Sequence, residues 1–269
     1  MPTGCASSKS KWDYIGCQRL KKALVNTTLI DASWLAGLAQ AGGVLPRCQD
    51  VPEEARVSLA EMEAWGEPQT VGVLVLSYPW LEKNHPDPYG EQLQKVAFVL
   101  KAFAARAREY KGCRVGVFWD YASLPQKNKD GVDDRTKAQM ARLERALSSG
   151  ISAWYGHRRT SVLMVATDPP TGSIYSRTQP YTGRGWCVAE RQMSSIVKEP
   201  KALIDMRKLS GHERGFNAVI KNGTASRQPP KSPADFRKAL KFGSSDGSLR
   251  FSFKSDVEVG GTRDGEREG

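Results

Sequence analysis

Glu190 is the first residue whose chemistry needs explaining. It lies in "RGWCVAERQMSSIVKE", residues 184–199, a stretch with helical spacing that Pro200 ends. Trp186 stands four residues before it and Met193 three after, which places all three on one helix face. Trp186, Met193 and Val197 read as the side that packs inward. A carboxylate on such a face is unfavourable unless it is paired or has a task. Partial burial raises its pKa and makes it a usable acid, base or electrostatic stabiliser. The plainer alternative is a glutamate at the edge of the stripe, paired with Arg191, Arg184 or a neighbouring loop.

Asp120 carries the same ambiguity. In "VFWDYASLPQ", residues 117–126, two aromatics of a buried strand run into an aspartate and then a loop. An acid at the carboxyl end of a strand is a frequent functional position in α/β sheets. It could equally cap the following loop through an Asx-turn. Cys187 falls near a helix N-terminus, which favours thiolate. With no histidine nearby in sequence, a small buried residue is the commoner reading.

Other chemistries lack their residues. His85, His157 and His212 are scattered without metal-ligand spacing. The five cysteines are odd in number, widely spaced and without a CxxC. That argues against a disulfide framework or structural zinc and for reduced thiols in an intracellular protein. No metal site is expected. GxxxxGK[ST], GxGxxG and GxSxG are all missing, so P-loop, dinucleotide-fingerprint and hydrolase-elbow readings lose their main support.

The elements that must position these residues alternate. "VGVLVLSY" (71–78), "CRVGVFWD" (113–120), "TSVLMVA" (160–166) and "ALIDM" (202–206) read as strands. Helical stretches separate them. Residues 90–110 carry Leu93, Val96, Leu100, Phe103, Ala107 and Tyr110 at helical spacing, and residues 134–149 carry Met140, Leu143 and Leu147. This rhythm implies right-handed crossovers and a parallel sheet with helices on both faces. Ligands in such folds sit outside the carboxyl ends of the strands. Ser77, Tyr78 and Asp120 would therefore meet at one edge.

Three regions follow: a helical extension (1–68), the α/β domain (69–212) and a basic, weakly structured segment (213–269) whose last ten residues read as disordered. In the extension, "DASWLAGLAQAGG" has Asp31 and Ser33 as N-cap candidates and Gly42 and Gly43 as a stop. "VPEEARVSLAEMEAW" reads as a second helix.

Apolar residues make up 39% and charged residues 26% of the 269, a balance that fits a soluble globular protein. The longest apolar runs are too short to span a bilayer. A net charge of +11 draws the chain toward phosphates, but no nucleic-acid recognition motif accompanies it, so a generally basic surface is the simpler reading.

In combination these stretches resemble a known family. "VLSYPW" is similar to the "LSYVWG"-type opening of heterokaryon-incompatibility (HET) domains. "WDYASLPQ" keeps the aspartate and the glutamine six residues on of that family's "D-x-x-C-I-N-Q". "DDRTKAQM" resembles the helix that follows, and "GRGWCVAE" its "R-x-W-x-x-Q-E" element. The same "WCxxE" occurs in TIR domains, to which HET domains are structurally akin. The likeness covers residues 70–200. It implies a flavodoxin-like, TIR-type fold and a role in signalling or self/non-self recognition, with self-association or other signalling domains as partners. Some TIR domains cleave NAD at the nicotinamide–ribose bond. For those, the resemblance implies Glu190 as catalytic residue and Trp186 beside the nucleotide. Ser77, Tyr78 and Asp120 would line the crevice, and Arg184, Lys83 or Arg135 would meet the pyrophosphate. NAD would be a substrate, with no permanently bound cofactor. A non-catalytic interaction module of the same fold is the rival expectation.

"GCASSKSK" (4–11) resembles a dual-acylation signal. Removal of Met1 would expose Pro2 rather than Gly4, so myristoylation as written fails, while Cys5 stays a palmitoylation candidate. The expectation is a cytoplasmic protein with a possible membrane contact through this segment.

Overall fold

The computed structural model describes residues 17–63, 72–109, 113–168 and 174–251. The GCASSKSK segment and the last ten residues lie outside them. The chain is a mixed α/β fold. Its sheet has six strands: β1 (Leu29–Asp31), β2 (Arg56–Val57), β3 (Val73–Ser77), β4 (Gly116–Phe118), β5 (Ser161–Met164) and β6 (Leu203–Asp205), in the order β2-β1-β4-β3-β5-β6.

β4, β3, β5 and β6 are mutually parallel. Counted along the chain, they run second, first, third, fourth, the order of a flavodoxin-like sheet. The chain thus crosses one way from β3 to β4 and the other way from β3 to β5. The reversal leaves a crevice at the carboxyl ends of β3 and β5.

Strand alternation explains why helices cover both faces. β3 is buried along its whole length. Its Leu74 and Leu76 enter one core with Val117, Leu163 and Ile204. Its Val73 and Val75 enter the other with Phe118, Val162 and Leu203. The first core is covered by α2 (Ala32–Gln40), α4 (Glu91–Arg108) and α9 (Phe216–Gly223). α4 buries Leu93, Val96, Leu100, Phe103 and Ala107 as their spacing requires, while Tyr110 falls outside the described residues. The second core is covered by α1 (Gln18–Asn26), α7 (Ile151–Gly156) and α8 (Gly185–Val197). There Trp154 of α7 stacks on Phe118, with ring centroids 6.0 Å apart.

Three expectations are corrected. The N-terminal region is not only helical. β1 joins the sheet antiparallel to β4, and β2 pairs with β1. "VPEEARVSLAEMEAW" supplies β2 and a short α3 (Leu59–Glu63), because Ser58 and Glu61 cap each other and start the helix late. The parallel sheet therefore carries an antiparallel edge. Second, the Met140–Leu143–Leu147 stripe does not pack as a unit. α6 (Lys137–Arg145) runs into a π-turn at Ala146–Gly150, whose extra residue rotates the helix phase, leaving Met140 and Leu147 exposed. Third, the segment after residue 212 is more ordered than its composition suggests. It forms α9 and α10 (Pro233–Ser245), the latter capped by Ser232.

The start and stop of α2 follow their signals. Asp31 Oδ1 accepts from Ser33 N at 2.8 Å. Gly42, at φ +70°, lets Gly42 N and Gly43 N reach Ala39 O and Leu38 O, both at 2.9 Å.

Candidate functional site

The crevice is assembled from the ends of β3 and β4, from α8 and from the turn before it. Ser77 closes β3 and is fully buried. Its hydroxyl donates to Glu190 Oε2 at 2.5 Å and lies 2.6 Å from the Tyr181 hydroxyl. Glu190 is half-buried on α8, one turn beyond the buried Cys187. Burial pushes its carboxyl up from the usual 4.5 to about 8, opposed by the Ser77 hydroxyl and raised further by the charge of Asp120. At neutral pH Glu190 is therefore mostly a protonated acid. Tyr155, from α7, donates its hydroxyl to Leu76 O at 2.6 Å and walls the same space.

Asp120 opens the short helix α5 (Asp120–Ser123) directly after β4. Its carboxylate is held on both oxygens. The Tyr78 hydroxyl and Tyr121 N (2.6 Å) donate to Oδ1, and Trp80 Nε1 donates to Oδ2 at 3.0 Å. Burial raises its pKa, and these donors oppose the rise. Asp120 accepts from the next amide of its own short helix and also ties the loop after β3 to the end of β4. The Gln126 side chain reaches back to Asp120 O at 3.4 Å, while the Gln126 backbone is held by the side chain of Gln49.

Arg184 sits just before α8 and bridges loops. Its guanidinium donates to Trp80 O and Arg177 O, both at 3.0 Å, and to Gln179 O at 3.3 Å. Arg135 is bidentate on Asp133, and Lys83 is exposed. Trp186 is half-buried and meets the ring of Phe251 edge-on, 6.4 Å between centroids. Residue 250 also pairs with the start of α8: Gly185 N donates to Arg250 O, and Arg250 N to Gly183 O, each at 2.9 Å. A side chain at 185 would drive a Cβ to within 2.2 Å of the Phe251 ring, which explains the glycine there.

The inward face of α8 differs from the Trp186–Met193–Val197 reading. Val197 is exposed, and Cys187, Ser194 and Ser195 are buried. Small residues let α8 lie close to α7; Met193 does pack against the second core, while Val197 turns outward. Burial pushes the Cys187 thiol well up, so it is a packed neutral thiol. At the far end of α8, Lys198 is buried. Its ammonium donates to Thr160 Oγ1 and His157 O at 2.6 Å and to Thr160 O at 2.9 Å, while burial lowers its pKa to about 7.

The structure thus brings Ser77 together with Glu190, and Tyr78 with Asp120. It adds Tyr181, Tyr155 and Trp80, which sequence reasoning missed. Tyr181 is 104 residues from Ser77, so no spacing rule links them. The described part of the loop before α8 closes over the turn after β3, with Arg177 N on Leu81 O at 3.0 Å and Ser176 Oγ on Glu82 at 2.5 Å. Among the described residues, no group of three or more His, Cys, Asp or Glu could hold a metal ion, and no helix is long and apolar enough to cross a membrane.

Comparison of the chain with protein-family models, curated proteins and solved structures finds no match.

Proposed function

We propose that the chain is a TIR/HET-like signalling module that cleaves the nicotinamide–ribose bond of NAD, with Glu190 as its catalytic carboxylate. The observation that carries this reading is the Ser77–Glu190 pair at the point where the sheet reverses direction. Breaking an N-glycosidic bond builds positive charge on the ribose. A carboxylate held beside it stabilises that charge more strongly in a half-buried site than in water. Nicotinamide leaves as a neutral base without needing a proton, water adds at the vacated ribose carbon and its proton passes to Glu190, so the ionised form of Glu190 is the active one. The cationic substrate itself favours that form.

In this reading Ser77 orients Glu190, while Tyr78 and Asp120 fix the crevice wall. Trp186 flanks the nucleotide side once Phe251 moves away. Arg184 holds the two rim loops together, and its three carbonyl partners leave it a positioning rather than a phosphate-binding role.

The test is nicotinamide release from NAD by the full chain at high protein concentration, beside Glu190→Gln. Release by the parent and none by a variant that melts normally supports the reading. Inert parent and variant, both folded, favour the rival: a non-catalytic interaction module. The feature favouring that rival is the closure of the rim by Arg184, Phe251 and the Ser176–Glu82 contact.

A further inference from the structure

Behind α8, on the side away from Asp120, lies a second concave site. The C-terminal segment crosses α8 there and α10 packs over it, leaving a cavity of about 200 Å³. Val188, Phe236, Leu240 and Leu249 supply an apolar wall, and Arg191 and Lys231 supply two cationic groups. No carboxylate among the described residues lines it.

Arg191 is the informative residue. Its Nε is buried without a hydrogen-bond partner, and it makes no ion pair among the described residues. Asp205, which feels the charge of Arg191, is itself paired with Arg207 at 2.6 Å. A guanidinium nitrogen held away from water with no acceptor is unfavourable. With Asp205 already taken by Arg207, the positive charge of Arg191 stands beside that of Lys231 at the cavity with nothing in its lining to neutralise either among the described residues. The backbone that brings Lys231 to the rim is stiffened by Pro229 and Pro230, and Gln192 Nε2 anchors it by donating to Pro229 O at 3.1 Å.

We infer that this cavity binds a small organic anion, a carboxylate on a compact apolar body, with Arg191 and Lys231 taking the charge and the α8–α10 wall taking the body. The size fits: a cavity of about 150 Å³ takes up a benzene ring. Arginine matches a carboxylate with two parallel donors. Tyr181 forms part of the wall, and its hydroxyl holds Ser77, so the site touches the Ser77–Glu190 network without overlapping it. The inference does not depend on NAD cleavage.

The probe is benzoate, with benzamide as the uncharged match of the same shape, titrated into the full chain carrying labelled methyl groups. Benzoate is expected to shift the methyl signals of Val188, Leu240 and Leu249, with benzamide roughly ten-fold weaker for want of the charge-assisted contact. Arg191→Gln should lose the benzoate preference. Ala239→Leu, which fills the cavity from α10 and leaves Arg191 in place, should lose the shifts altogether while keeping a folded spectrum. If Arg191→Gln does not fold, Ala239→Leu decides alone. Equal response to both probes, no response to either, or a benzoate shift that survives Ala239→Leu overturns the inference.

Discussion

Two carboxylates face the same edge of the sheet, and the chain surrounds them differently. Asp120 receives the Tyr78 hydroxyl, the Trp80 indole and a backbone amide. Glu190 receives the Ser77 hydroxyl on one oxygen. Burial raises both pKa values, yet only at Asp120 do three donors answer it. A carboxylate so tied is a structural joint, since moving it would strand three buried donors. One met only by hydroxyls, Ser77 foremost and Tyr155 more weakly, with its pKa pushed to about 8, can change its charge state as a reaction proceeds. Partner number, more than depth, separates the two roles.

The largest effect should come from Glu190. Glu190→Gln keeps the size and can still accept from Ser77, so it should fold as the parent does. Nicotinamide release should fall by roughly 10²–10⁴-fold, the usual contribution of a positioned ionisable group. The complementary substitution is Asp120→Ala. It strands the Tyr78, Trp80 and Tyr121 donors and should lower unfolding free energy by about 3 kcal/mol, read by denaturant titration. If Asp120→Ala is stable and Glu190→Gln unfolds, the contrast between them is wrong.

pH sharpens the contrast. Between pH 4.5 and about 8 the folded chain keeps a proton on Glu190 that the unfolded chain has released. Stability should therefore fall across that interval as pH rises, and the full penalty should stand above it. Glu190→Gln should remove this slope, worth roughly 2–4 kcal/mol. Lys198 acts in the opposite sense. Its folded pKa of about 7 lies below the usual 10.5, so its penalty is greatest below pH 7 and is relieved as pH rises toward 10.5. Lys198→Met should flatten the alkaline side of the stability profile. Thermal melts between pH 5 and 10 would read both slopes. Activity should rise with pH through about 8, because the ionised form of Glu190 is the one the reaction needs.

Much of the scaffold was legible in the sequence because it obeys local periodicity. β3 is a continuous apolar run, and α4 keeps its stripe from Leu93 to Ala107. The cap and stop of α2 are written in Asp31 and Gly42. Ser77 could be placed at the carboxyl edge from its strand end, and Glu190 in the crevice only through the family resemblance. Their direct hydrogen bond could not, because it joins residues 113 positions apart. β1 and β2 escaped notice because strands of three and two residues are too short to show alternation. The inward face of α8 was misread for a physical reason. Close helix approach buries small residues such as Ser194 and Ser195, whereas a hydrophobicity rule looks for Trp186 and Val197. Of the C-terminal helices, α10 was legible as a short helix in ADFRKALKF, whereas α9 lay in a polar stretch and is ordered by packing Phe216 and Val219 against the core that α4 covers.

The smallest effect tests the link between the two carboxylates' surroundings. Ser77→Ala removes the hydroxyl that most favours the ionised form of Glu190, leaving the smaller help of Tyr155. Little volume is lost, so stability should change by only about 1 kcal/mol. Glu190 would then be harder to ionise, and the rising limb of the activity profile should move to higher pH by less than about one unit. The plateau rate should fall only several-fold. The Tyr181 hydroxyl, freed from Ser77, is the reason the shift stays small, because it remains within the same pocket as a substitute donor. Tyr181→Phe combined with Ser77→Ala should therefore move the limb further than the sum of the two single changes. Simple additivity would mean that Tyr181 supports Ser77 by packing alone.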